Sequence, residues 1–150
     1  MVLPRISSMK RQLTISADVI DEAKLSRSSP LAENTGAVVR FLGVVRGTED
    51  AQPIRAIDYQ AFQRMAEHQF GLLFGELEKR WPIHSIHVVH RIGLVNAGEP
   101  SLWVEVTAAH RAEAFAAAQF LIDEMKRVVP IWKKPVPPSG VASPSTEKPG

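Results

Sequence analysis

The strongest constraint on this chain is a strand followed almost directly by a long amphipathic helix. Leu102 to Thr107 is a β-branched, apolar run, and a helical pattern begins a few residues later and extends from Arg111 to Val128. Apolar residues recur in the second segment on one broad helical face, and Pro130 ends the helix. Such a helix must bury its apolar face, and its alanines allow close packing. The chain is therefore constrained to a layered fold with this helix packed on a sheet.

The remaining segments supply the other strands and a second long helix. Apolar patterns predict a short helix at 18–25 and strands at residues 13–17, 36–45, 54–61 and 85–92. The run at 36–45 is too apolar for an edge, so we expect a buried strand that forms a hairpin with 54–61 around the turn GTEDAQP. Helical spacing predicts a helix from Phe62 to Arg80. This order predicts an α+β fold, with two long helices on one face of a largely antiparallel sheet.

The chain is predicted to contain one folded domain. Its 150 residues, 45% hydrophobic and 23% charged, are typical of a single domain. Residues 1–12 show no convincing period and are predicted to form a flexible arm. Residues 135–150 contain five prolines and no aromatic residue, a composition that cannot offset the entropy of ordering. We therefore expect a folded domain at 13–134 followed by a disordered tail.

Composition excludes several kinds of chemical site and of binding partner. The absence of cysteine excludes disulfides, thiolate zinc sites, iron–sulfur clusters and cysteine nucleophiles. A formal charge of +2 is too small to indicate a partner that is a nucleic acid or an anionic membrane. No apolar run approaches the roughly 20 residues of a membrane span, and the first residues lack the apolar core of a secretory signal. We expect a cytoplasmic protein.

The junction between the last strand and the long helix is a candidate anion site. His110 and Arg111 lie where the helix begins, and the first N–H groups of a helix attract phosphate or carboxylate. An alternative remains open, in which His110 caps the helix together with Glu113 and Arg111 is only solvated.

A second basic group lies at the other end of the same helix. The segment from Lys126 to Lys134 carries four cations and no acid, and Pro130 separates Lys126 from Lys133. Two ammonium groups close together in a partly dry pocket provide a candidate nucleophile, acid or base. The alternative is that Lys126 stabilises the helix C-terminus and that Lys133 and Lys134 solubilise an edge strand.

One arginine is a further candidate for the anion site, whereas a group of three histidines is not a suitable metal site. Arg46 follows an apolar strand and precedes Gly47, so its guanidinium can turn into a cleft. Three histidines suggest a metal site, but side chains alternate along a strand, and the middle one therefore faces away from the other two: His84, His87 and His90. We expect neither a bound metal nor a cofactor.

Three blocks of sequence together carry a resemblance to a known family. They are GAVVRFLGVVRG at 36–47, RWPIHSIHVVHRIGLVNAGE at 80–99 and TAAHRAEAFAAAQFLIDEMKRVVPIWKK at 107–134. In their order and spacing they resemble the MoaE family, the large catalytic subunits of molybdopterin synthase. The resemblance extends from about residue 13 to residue 134 and is most specific in the third block.

The resemblance implies an α/β hammerhead-type fold and a sulfurtransferase of molybdenum cofactor biosynthesis. In this family a ubiquitin-like small subunit inserts its C-terminal Gly-Gly tail, activated as a thiocarboxylate, into a pocket of the large subunit. Sulfur passes twice to cyclic pyranopterin monophosphate and forms the dithiolene of molybdopterin. The implied assembly is a homodimer of the large subunit that forms a heterotetramer with its partner. Because the partner supplies the sulfur, the lack of cysteine is consistent with this function.

The same resemblance implies substrate-binding residues at the strand end and at the helix start. Val44, Val45 and Arg46 match the family's substrate-contacting strand end, and the histidine-arginine pair of the family is matched by His110 and Arg111. We expect the three basic residues of this set to hold the pterin phosphate.

Catalytic residues are implied at the other end of the helix. Lys126 matches the lysine that ends the family's long helix, and Lys133 matches the lysine of the IWK motif. Lys134 is expected to contact substrate beside it. We expect both catalytic lysines to share one pocket with Arg46 and the histidine-arginine pair.

The C-terminus departs from the family pattern. The family usually continues with an acidic residue and a glycine-tryptophan stretch, whereas Pro135, Val136, Pro137 and Pro138 follow here. An alternative function therefore remains, a noncatalytic binding module that keeps the partner groove but has lost turnover.

Overall fold

A computed structural model describes residues 9–139, which contain nine strands and three helices. In chain order these are β1 (Lys10–Ser16), α1 (Glu22–Arg27), β2 (Ala37–Val44), β3 (Thr48–Glu49), β4 (Gln52–Pro53), β5 (Ala56–Ala61), α2 (Gln63–Arg80), β6 (Ile83–Arg91), β7 (Gly93–Asn96), β8 (Pro100–Ala108), α3 (Arg111–Val128) and β9 (Ile131–Val136). Most of the predicted arm and tail, residues 1–8 and 140–150, lies outside the described residues.

Two sheets and a small hairpin organise the strands. The larger sheet has the order β1-β6-β8-β2, in which β1 and β6 run parallel and the other neighbours run antiparallel. The smaller sheet has the order β7-β5-β9 and is antiparallel, while β3 pairs with β4. The predicted α+β fold with a largely antiparallel sheet is confirmed.

The two long helices pack on one face of the larger sheet. α3 has the predicted bounds, and α2 begins one residue later than predicted. Their apolar faces form one core with the sheet, in which the largest fully buried side chains include Phe70, Leu77 and Leu121. Each such side chain contributes about 1.5–3 kcal/mol through burial. Within residues 9–139, no helix is both long and apolar enough to cross a lipid bilayer.

The ends of the folded region differ from the prediction. β1 begins at Lys10, so three residues assigned to the arm pair with β6. Pro135 and Val136, assigned to the tail, pair with β5. Both differences arise because backbone pairing orders residues whose side chains show no apolar pattern. α1 also begins later than predicted, because Asp21 caps it by accepting a hydrogen bond from the Lys24 N–H at 3.1 Å.

The predicted hairpin between residues 36–45 and 54–61 is wrong. β2 pairs with β8, whereas β5 pairs with β7 and β9. The turn sequence instead forms its own hairpin from β3 and β4, with Asp50 and Ala51 at positive φ angles of 50° and 63°. The turn therefore joins β3 to β4 and does not join β2 to β5. β5 follows this hairpin and pairs within the second sheet.

β2 lies at an edge of its sheet, which contradicts the expectation of a buried strand. Phe41 is 36% exposed and Val44 is 46% exposed. An apolar edge strand invites association with other chains when it is left open. The composition of β2 is therefore typical of an edge that another surface covers.

His87 lies on the sheet face opposite the long helices, where burial keeps its ring neutral. The ring packs against Trp103 with centroids 5.0 Å apart, and Nε2 is buried without a hydrogen-bond partner among the described residues. Burial lowers the pKa of His87 below its ordinary value of 6.5, and the nearby Glu105 carboxylate only partly offsets this effect. Protonation therefore favours the unfolded chain. The stability provided by the neutral ring is present above pH 6.5 and is lost as the pH falls below that value.

We expect the free energy of unfolding to decrease in mild acid. Urea unfolding at about pH 7.5 and about pH 5.5 should show a loss of at most about 1.4 kcal/mol per pH unit from this histidine. The His87→Phe variant, which has no titrating ring at this position, should lose less over the same interval. Equal losses in the two proteins would contradict the assignment.

Candidate active site

A cavity of about 460 Å³ lies between the end of β2, the last turn of α3 and β9. Three cationic side chains line it: Arg46 just after β2, Lys126 on α3 and Lys133 on β9. Val44 and Val45 line the same cavity. Three separate elements thus bring five of the predicted site residues together.

The chain reversal after α3 brings the two lysines to this cavity. α3 ends at Val128, and the Ile131 N–H donates to the Val129 carbonyl at 2.8 Å as the chain turns. β9 then runs antiparallel to β5, with Lys133 opposite Tyr59. Pro130 prevents the helix from continuing and so makes this reversal possible.

The strand end that carries Arg46 is fixed by its backbone. The Val45 N–H donates to the Glu99 carbonyl at 3.0 Å, and the Gly98 N–H donates to the Val45 carbonyl at 2.8 Å. Val45 is also buried, together with Ile54, which lies between β4 and β5, and Ile57 of β5. Arg46 therefore extends from a rigid backbone position.

The cavity also contains an acid, Glu49, which sequence reasoning missed. The Lys133 Nζ donates to Glu49 Oε1 at 3.0 Å. The segment from Lys126 to Lys134 contains no acid, but the β3–β4 hairpin brings Glu49 beside Lys133. In the sequence Glu49 has the appearance of an ordinary turn residue, and no local signal gives the direction of its side chain.

His90 and Tyr59 form a largely buried wall of the cavity. Their rings meet edge to face, with centroids 5.4 Å apart. His90 Nδ1 lies 2.9 Å from the Arg91 carbonyl oxygen, which can only accept, so Nδ1 donates. Burial lowers the pKa of His90, and the contact with the Arg91 carbonyl only partly offsets this effect. The wall is therefore neutral near pH 7, and the positive charge of the cavity comes from the arginine and the lysines.

His110 and Arg111 lie far from this cavity in a single chain. They stand at the first turn of α3, and Lys126 stands in its last turn, so the helix rise separates His110 from Lys126 by about 24 Å. The expectation that all five basic side chains share one pocket within a chain is therefore wrong. A helix of this length holds its two ends apart.

The helix start has its own surroundings. The His110 side chain is 79% exposed and lines a second cavity of about 640 Å³ together with Trp81 and His84. It makes no side-chain cap hydrogen bond, and its Nδ1 lies 3.8 Å from the Glu113 carboxylate. The alternative in which the His110 side chain caps the helix is therefore not supported. His110 and Arg111 are both exposed and can contact another molecule.

Lys134 lines a different cavity from Lys133. Side chains alternate along a strand, so neighbouring residues of β9 face opposite sides. Lys134 lines a cavity of about 450 Å³ with Asp58, Phe62 and Trp132. The two aromatic rings meet edge to face with centroids 4.5 Å apart, and Phe62 is 60% exposed. Direct contact with a substrate in the cavity that Lys126 and Lys133 line is not supported by this position.

The cationic cavity is suited to an anionic substrate and to reactions in which negative charge develops. Guanidinium and ammonium groups make their strongest hydrogen bonds to phosphate and carboxylate oxygens. Fixed cations beside a low-dielectric wall also stabilise an oxyanion or thiolate as it forms. The cavity can therefore bind an anion and stabilise negative charge that develops on it.

Comparison with protein families and curated proteins gives concordant results. The family model described as MoaE protein matches residues 14–128. The molybdopterin synthase catalytic subunit of Thermoplasma volcanium is 41% identical over 110 residues, covering 73% of this chain and 80% of that protein. The human catalytic subunit is 35% identical over 117 residues, covering 78% of this chain and 61% of that protein.

Solved structures agree with this result. Molybdopterin synthase from Staphylococcus aureus superposes with a TM-score of 0.72 at 27% identity, covering 88% of this chain and 93% of that chain. A complex of subunits 1 and 2 of molybdopterin-converting factor from Helicobacter pylori has a TM-score of 0.67 at 20% identity, covering 89% and 93% of the two chains. At that identity the second comparison shows a shared fold.

Proposed function

The chain belongs to the MoaE family, and from that premise we propose that it is the catalytic subunit of a molybdopterin synthase. Its substrate is cyclic pyranopterin monophosphate, and its sulfur donor is a ubiquitin-like small subunit with a C-terminal thiocarboxylate. In each transfer the thiocarboxylate sulfur bonds to a side-chain carbon of the pterin, and the bond between that sulfur and the donor's acyl carbon breaks. The acyl carbon takes an oxygen atom from water or from the displaced pterin oxygen, so the donor tail is left as a carboxylate. Two transfers complete the dithiolene, and the catalytic subunit itself is unchanged.

The observation that carries this proposal is the meeting of Arg46, Lys126 and Lys133 around one cavity with a neutral wall. Arg46 is suited to the phosphate, because a guanidinium binds phosphate oxygens with two parallel hydrogen bonds. Lys126 and Lys133 are suited to the thiocarboxylate, where they stabilise the charge that develops during transfer. Val44 and Val45 contribute the wall on the β2 side.

A second copy of the chain completes the site in this proposal. His110 stands about 24 Å from Lys126 along α3, and Arg111 is the next residue, so this pair reaches a lysine cavity only from another chain. In a two-fold dimer, the helix start of each chain lies near the lysine cavity of its partner, and the two sites are equivalent.

Apolar surfaces near both ends of α3 support this arrangement. Phe41 and Val44 are exposed at the β2 edge and line the lysine cavity, and Phe115 is 61% exposed one turn after the helix start. Such residues are enriched in interfaces that bury them. A dimer with one small subunit on each site forms the heterotetramer.

Reconstitution tests the function directly. The purified chain, a thiocarboxylated small subunit and the pterin precursor are combined, and the pterin is analysed by mass spectrometry. We expect a product that has gained two sulfur atoms, with donor tails converted to carboxylate. A stable complex without product would contradict the proposal and favour the noncatalytic module.

A further inference from the structure

We propose that Glu49 is a positioning residue for sulfur transfer: it holds the Lys133 ammonium in its reactive place and limits the affinity of the cavity for anions. This inference rests on the proposed function. It adds a residue of the β3–β4 hairpin, an element that contributed no residue to the site predicted from the sequence. Glu49 acts through Lys133 and has no assigned contact with the pterin.

The contact itself is close and partly sheltered. Lys133 Nζ lies 3.0 Å from Glu49 Oε1, and the Glu49 side chain is only 14% exposed. The lysine side chain is 40% exposed and has four rotatable bonds, so it needs a partner to hold the ammonium in one place. A charge-assisted hydrogen bond at this distance provides that restraint.

The backbone of the hairpin that carries Glu49 is held by hydrogen bonds at its base. Glu49 pairs with Gln52 across a two-residue turn, and the Ile54 N–H donates to the Gly47 carbonyl at 2.9 Å at the hairpin base. Ala51 in the turn has a φ of 63°, a conformation that costs an alanine about 1 kcal/mol or more. Val45 and Ile54, which flank the hairpin, are buried and anchor its two ends.

The charge balance of the cavity gives Glu49 a second effect. Among the described residues that line the cavity, it is the one acid beside Arg46, Lys126 and Lys133. Loss of its carboxylate therefore raises the net positive charge, which strengthens binding of an anion in the ground state. The same loss frees Lys133, which weakens stabilisation of the transition state. The first effect lowers KM, and the second lowers kcat.

Steady-state kinetics of the reconstituted enzyme test the proposal with the isosteric variant Glu49→Gln. We expect kcat to fall about tenfold, because a mobile ammonium is often misplaced. We expect KM for the pterin to fall about threefold, because one nearby negative charge has been removed. The control is Asp50→Asn, the adjacent exposed acid of the same hairpin, which should leave both constants within about twofold of the wild type.

A double-mutant cycle separates a positioning role from a general structural one. In a Lys133→Ala background, Glu49→Gln should leave kcat unchanged, because the group it positions is absent. An equal fall of kcat in both backgrounds, or a Glu49→Gln enzyme with wild-type constants, would overturn the inference while leaving the proposed function intact. A wild-type chain that forms no product would overturn the proposed function, and this inference with it.

Discussion

Replacing Lys126 with alanine is expected to lower the rate of sulfur transfer by about 10²- to 10³-fold and to leave affinity for the small subunit within about twofold. Lys126 stands in the last turn of α3 and lines the cationic cavity. In the proposed mechanism the Lys126 ammonium stabilises the negative charge that develops during transfer. Its loss therefore raises the free energy of the transition state more than it weakens binding of the small subunit. Single-turnover rates and small-subunit binding by calorimetry provide the two measurements.

The adjacent residue provides a matched control. Arg127 lies in the same helical turn, pairs with the Glu124 carboxylate at 2.8 Å and has a side chain that is 70% exposed. It does not line the cavity, so Arg127→Ala should keep the wild-type rate within about twofold. A Lys126→Ala enzyme with wild-type turnover, or one whose binding falls as much as its rate, would refute the assignment.

Local pattern was sufficient to predict the long helices. The spacing of apolar residues, with Pro130 after α3, was sufficient to predict the bounds of α2 and α3 within one residue. These features act between near neighbours in the chain, so they can be recognised without the tertiary structure.

Strand pairing could not be predicted in the same way. β2 and β5 were expected to form one hairpin, yet they belong to different sheets. A turn sequence indicates that the chain reverses, but it does not state which strands pair afterwards. The apolar composition of β2 was also taken as burial within the domain, whereas Phe41 and Val44 stay exposed at an edge. Composition alone does not distinguish burial inside a chain from burial against another chain.

Only part of the site could be predicted, because contacts between distant segments of the chain cannot be recognised from local pattern. Arg46, Lys126 and Lys133 line one cavity as expected, and Glu49 was missed because its contact depends on the orientation of a hairpin. The separation of Arg111 from the lysines follows from helix rise and was available from the sequence. The expectation of a single-chain pocket ignored that length.

The proposed two-chain site predicts recovery of activity when two inactive variants are mixed. Arg111→Ala damages the helix start that one chain contributes, and Lys126→Ala damages the cavity of the other. We expect each homodimer to lose at least about tenfold in rate. After random reassociation half of the dimers are mixed, and each mixed dimer has one site with both residues intact. Activity should therefore return to about a quarter of the wild-type value.

A second mixture serves as the control. Lys126 and Lys133 line the same cavity of one chain. A mixed dimer of Lys126→Ala and Lys133→Ala thus contains one damaged lysine in each of its two sites. This mixture should stay as inactive as its components.

The two-chain site is tested most directly by the rate of dithiolene formation by the Arg111→Ala and Lys126→Ala mixture, measured after mixed dimers have been isolated with two different affinity tags. Isolated mixed dimers have one intact site of two, so we expect about half of the wild-type rate. A rate no higher than that of the separate variants would contradict a site built from the helix start of one chain and the lysine cavity of another.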